Sequence, residues 1–120
     1  MKIEIVRILD RAVANKERLW LEVIEDTDLK YFIVFDTTYT SETSISNLQR
    51  NAYWFKPKQV KAGDYVVLYT RPGTPSEQIN EKGTNTHFLY WGLKNTVWND
   101  TGDCAVLFEL NSWQTSTRGG

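Results

Sequence analysis

The chain reads as an all-β protein, an antiparallel two-sheet sandwich of about seven to eight strands. Three observations lead there. Runs rich in β-branched and aromatic residues recur along the whole length, turn signals separate them at short intervals, and no stretch of ten residues carries a 3.6-residue period. At 120 residues the chain is one domain's worth, long enough to bury a core without disulfides or metals. Residues 1–111 form that domain in this reading, and 112–120 a polar, disordered tail.

The first strand signal is Ile3, Ile5 and the pair Val6/Ile8, ended by the polar stretch 10–18. The second run, 18–25, alternates: Leu19, Leu21 and Val23 point one way, Trp20, Glu22 and Ile24 the other. After an acidic turn, Tyr31-Phe32-Ile33-Val34-Phe35 is continuously apolar, the pattern of a strand buried on both faces. The segment 36–51 is rich in Thr and Ser, with a weak helical pattern over 46–50. Tyr53-Trp54-Phe55 is a short strand stopped by Pro57. Ala62-Gly63-Asp64 is a turn into Tyr65-Val66-Val67-Leu68-Tyr69-Thr70, the clearest strand of all. Residues 71–86, with two prolines and two glycines, read as one long surface loop. Phe88-Leu89-Tyr90-Trp91 and the run Cys104 to Leu110 complete the set, the latter after the turn Asn99-Asp100-Thr101-Gly102-Asp103.

Composition narrows the function. Fourteen basic and fifteen acidic residues nearly cancel, which argues against a dedicated nucleic-acid binder but allows a local basic patch. A single cysteine, Cys104, permits no internal disulfide. The start of the chain carries charges where a signal peptide would be apolar, and no segment offers the roughly 20 apolar residues of a membrane span. A cytoplasmic protein without membrane association is the expectation.

The order of elements from 53 to 110 resembles the lamin-tail domain family. It is carried by Phe55-Lys56-Pro57, then Val60-Lys61-Ala62-Gly63-Asp64 with the apolar strand behind it, then Trp91-Gly92, Trp98-Asn99-Asp100-Thr101-Gly102-Asp103 and Ala105-Val106-Leu107. The resemblance implies an immunoglobulin-like β-sandwich and an interaction function without an active site. Gly63, Asn99, Gly102 and Asp103 have physical reasons as turn formers: glycine tolerates positive φ, and Asn and Asp side chains bond nearby backbone N–H groups. The first half departs from the family pattern, since no glycine precedes Gly63.

No catalytic constellation is visible, and neither a cofactor nor a metal is expected. His87, the sole histidine, begins a strand and is expected to be a partly exposed strand residue; it lacks the companions a metal site or acid–base pair needs. Cys104 reads as a buried, inert thiol. Asn99, Asp100 and Asp103 could offer oxygen ligands to a cation, but their spacing fits no calcium loop and turn capping accounts for them.

Two segments carry candidate binding residues. Segment 50–61 brings together Arg50, Trp54, Lys56, Lys58 and Lys61 with no acid, a mixture suited to single-stranded nucleic acid. Its plainer reading is a strand with one face in the core and lysines in a wet loop. Segment 71–86, with Arg71, Glu77 and His87 at or beside it, is a long loop on a rigid scaffold, where recognition sites are common. The expected function is therefore a non-catalytic module that binds a protein partner through the long loop or an exposed strand edge. The alternative is a single-stranded nucleic-acid module using 50–61. The sequence is silent on oligomeric state.

Overall fold

In the structure, a computed structural model, all residues are described except 39, 40, 42, 43, 46–49, 100, 101, 118 and 120. The described residues form strands and one three-residue 3-10 turn, Leu29–Tyr31. The ten strands are β1 (Ile3–Leu9), β2 (Arg18–Val23), β3 (Thr27–Asp28), β4 (Phe32–Thr38), β5 (Asn51–Trp54), β6 (Gln59–Val60), β7 (Tyr65–Tyr69), β8 (Ser76–Ile79), β9 (Asn85–Tyr90) and β10 (Asp103–Glu109). The protein is all-β, as its patterning predicts. No helix among the described residues is long and apolar enough to cross a membrane.

Five strands make the larger sheet, in the order β1-β2-β7-β9-β8. Three make a second, β10-β4-β5, and β3 pairs with β6 as a short ribbon. The alternation read from β2 is what the fold uses: Leu19, Leu21 and Val23 are buried, Trp20 and Glu22 half-buried. A single core joins the two larger sheets. Ile3, Leu19, Leu21, Val66 and Leu68 from the first meet Phe32, Val34 and Leu107 from the second, with Leu29, Val60 and Trp98 closing the ends.

Three expectations are corrected. The described residues hold ten strands, because two are only two residues long and one lies inside the expected loop 71–86. That hidden strand, β8, pairs antiparallel with β9 from Ser76↔Phe88 to Ile79↔Asn85. All four of its residues are exposed, so it has no apolar alternation to betray it. Thirdly, the larger sheet is not wholly antiparallel, since β7 and β9 run parallel. The excursion through β8 supplies the crossover that a parallel pair requires.

The crossover has a tight point. A Cβ at Gly73 would lie 2.4 Å from the Tyr90 ring, so only glycine lets the chain pass there. The turn before β7 behaves as read: Gly63 has φ 92°, and Asp64 N–H donates to the Lys61 carbonyl at 2.9 Å.

Candidate interaction face

The site grows from β4. Its run Phe32-Ile33-Val34-Phe35 is apolar at every position, the pattern of a strand covered on both sides. The structure covers one side only. Phe32 and Val34 are buried, while Ile33 and Phe35 are half-buried on the outer face.

Both neighbours extend that face. Register places Trp54 and Phe108 beside Ile33, and Ala52 and Val106 beside Phe35. The outer surface of the three-stranded sheet is thus two apolar rows across three strands. Phe35 and Phe108 rings stand 5.1 Å apart. Trp54 is 44% exposed and Phe108 42%, against the usual practice of keeping large apolar groups scattered on a surface.

Aromatic groups continue past the β5 edge. Trp113, 45% exposed, sits edge-on to Trp54 with ring centres 5.2 Å apart, and 6.0 Å from Tyr31. It belongs to the segment expected to fray, and it lies against the sheet. Trp54 Nε1 donates to the Lys30 carbonyl at 2.8 Å, which helps to fix its ring. Lys30 Nζ lies 5.2 Å from the Tyr31 ring centre. Lys30 has no ion pair among the described residues, so it leaves a cation at this rim of the face.

The predicted residues fall in separate places. Trp54 belongs to this face; Lys56 is exposed and lines a separate hollow with Tyr53, Pro57, Gly73 and Tyr90. Arg50 lies at the far end of β5, where it donates to Asp103 Oδ1 at 2.7 Å and approaches Asp36 at 3.5 Å. That hydrogen bond to Asp103 is the main reason its guanidinium is held above the usual arginine range. Lys58 pairs with Glu77 at 3.2 Å, and Lys61 is exposed beside the Gly63 turn. The four basic groups of 50–61 are therefore dispersed, two of them beside carboxylates. The helical pattern over 46–50 falls almost wholly outside the described residues.

His87 is a correction. It is not partly exposed but 2% exposed, because β9 is an interior strand between β7 and β8. Its Nε2 lies 2.9 Å from Asp64 Oδ2, and its Nδ1, without a hydrogen bond, lies 4.0 Å from Glu77 Oε2. Asp64 also accepts N–H groups of Lys61 and Asn85, both at 3.1 Å. Burial alone would raise its pKa. The bonds from His87, Lys61 and Asn85, with the charge of His87, outweigh this and hold Asp64 below the usual carboxylate range.

The expected turn at Asn99 and Gly102 has its central residues, 100 and 101, outside the described set. Asn99 bonds back to Thr96, and Asp103 receives Arg50, so neither side chain is engaged as a turn cap among the described residues. Cys104 is buried, and burial first, then the nearby Asp103, raises its pKa, which keeps it a thiol. It lies on β10, in a different sheet from His87. Among the described residues no three His, Cys, Asp or Glu side chains gather as metal ligands would.

Ile33, Phe35, Val106, Phe108 and Trp113 were missed as surface residues. The signal was available in β4, whose two apolar faces ask for two covers. Double burial satisfied that pattern equally well from sequence alone. These features define a class: an all-β domain with an apolar sheet face left uncovered. No protein-family model, curated protein or solved structure matches the chain.

Proposed function

We propose that this protein is a non-catalytic interaction domain that binds a protein partner on the outer face of β10-β4-β5, at its β5 edge. One observation carries the reading: β4 has the residues of a doubly covered strand, and one cover is missing. The partner that fits presents apolar side chains to Ile33, Phe35 and Phe108, with a carboxylate at its margin facing Lys30. We read the two sheets as an immunoglobulin-like sandwich of the lamin-tail kind. The core they share, the glycine turn into β7 and the order β7, β9, β10 support that reading; the parallel β7–β9 pair departs from the expected pattern.

A second reading has its own support. Exposed Trp54 and Trp113, with Tyr31 and Lys30 beside them, resemble a stacking platform for unpaired bases. It leaves the apolar rows at Phe35, Val106 and Phe108 without a use, so we favour the protein partner.

The experiment is a peptide-display selection on the wild-type domain, counter-selected against Phe108→Lys. The expected result is apolar peptides with acidic flanks that bind wild type and lose about tenfold or more in affinity on Phe108→Lys. An Ile79→Lys control on the opposite sheet keeps full affinity. Peptides that ignore Phe108→Lys, or none at all, would sink the proposal. Retention of single-stranded oligonucleotides by wild type, lost in Trp54→Ala and at raised salt, would establish the second reading instead.

A further inference from the structure

The molecule has a second concave feature, unrelated to the apolar face. A cleft of about 800 Å³ opens between the β1–β2 connection, the end of β7 and the segment between β9 and β10. Asn15, Thr70, Arg71, Lys94, Asn95 and Thr96 are among the residues that line it. Among the described residues its lining has two cations and no carboxylate, in a chain whose acidic and basic residues are almost equal in number.

Its walls are held in place by groups that do nothing else visible. Glu17, 1% exposed, has no cationic partner among the described residues; it accepts Ala12 N–H at 2.9 Å from one wall and Val97 and Trp98 N–H at 2.8 and 3.2 Å from the other. One buried carboxylate therefore clamps the two loops that face each other. The β1–β2 connection holds three non-glycine residues at positive φ: Asp10 (51°), Ala12 (62°) and Asn15 (69°). Gly92, on the opposite side, has φ 86°. Strained backbone of this kind persists where the surroundings over-determine it.

Arg71 is the oriented cation. Its guanidinium lies 4.8 and 5.0 Å from the ring centres of Tyr69 and Tyr90, which stack on each other. Its Nε donates to the Asn15 carbonyl and its Nη1 to the Pro72 carbonyl, both at 3.0 Å. Nη2 has no partner among the described residues. Lys94 is exposed at the rim, and among the described residues neither it nor the Asn15 and Asn95 side-chain amides has a partner. A fixed guanidinium, an exposed ammonium and neutral amide donors, with no opposing acid among the described residues, form the chemistry that recognises an oxyanion.

We propose that this cleft binds a small polar ligand carrying a phosphate, sulfate or carboxylate group. The anion sits against Arg71 and Lys94, and the amides of Asn15 and Asn95 hold the rest of the ligand. The inference is independent of the protein-binding face.

The test is a titration of isotopically labelled protein with inorganic phosphate, inorganic sulfate and acetate at constant ionic strength, with glucose as the neutral control. Saturable shifts are expected at the amide resonances of Asn15, Thr70, Arg71 and Asn95. Lys94→Glu and Asn95→Asp, at exposed positions, should each weaken the strongest binder about tenfold while Phe108→Lys leaves it unchanged. The anion that binds best separates the tetrahedral from the planar source. No saturable shift with any anion would overturn the proposal. So would shifts spread over every exposed lysine, or equal affinity in Lys94→Glu. Glucose acting where the anions do not would replace it with a neutral polyol site.

Discussion

Asp64 joins three parts of the larger sheet: the turn at Lys61, the start of β9 at Asn85, and the buried ring of His87. Its carboxylate is held below the usual range, so its stabilising bonds need the ionised form. The unfolded value is about 3.9. Because the folded value lies beneath it, the contribution is complete above the unfolded value and is lost as pH falls through the folded one. Asp64→Asn should therefore cost about 1–3 kcal/mol at neutral pH. The difference from wild type should narrow on acidification below about pH 4. Urea unfolding at a series of pH values measures both; a gap that stays constant would contradict the assignment.

Glu17 is the other residue on which much converges. Glu17→Ala leaves the N–H groups of Ala12, Val97 and Trp98 without their acceptor, two of them buried. A loss of about 3 kcal/mol is expected, with Glu17→Gln losing less because it retains one acceptor oxygen. Denaturant midpoints at unchanged slope would show this. Neither residue's role was legible in the chain. A carboxylate in a polar stretch reads as a solvated turn, and only the return of residue 97, eighty positions later, makes it a buried acceptor.

At the scale of elements, legibility tracks side-chain pattern. β2 and β7 could be read directly, since alternation or continuous apolarity at those positions is dictated by the core they enter. β8 could not. Ser76-Glu77-Gln78-Ile79 is a strand because β9 presents an unpaired edge to it, and its own side chains all face water. The same reason hid the burial of His87, whose environment is decided by β8 and by Asp64 rather than by its neighbours in sequence. The crossover into β8 gives a prediction of its own. Gly73→Ala forces a methyl group into the Tyr90 ring, and about 1–3 kcal/mol should be lost as Tyr90 leaves its stack on Tyr69. Thermal unfolding, with the aromatic proton shifts of Tyr69 and Tyr90, checks it.

Across the whole molecule, the all-β class was legible from periodicity, and the site only in part. Trp54 stood among the candidate residues read from the chain, yet the face it lies on is assembled from β4, β5 and β10, which are brought side by side only by folding. An exposed face makes a definite contrast between stability and binding. Phe108→Ser should change unfolding free energy by about 1 kcal/mol or less, since the ring is largely outside the core, while abolishing peptide binding. A loss of several kcal/mol would place Phe108 in the core and remove the face from consideration.

The tryptophans also have an optical consequence. Trp98 is buried, Trp20 and Trp91 half-buried, and only Trp54 and Trp113 are exposed, both on the same patch. The red edge of the intrinsic emission therefore comes from the patch alone. A partner that covers it should shift that emission to the blue and protect it from acrylamide, with no label attached. Ligands entering the cleft beside Arg71 should leave it untouched, so one cuvette can tell the two events apart.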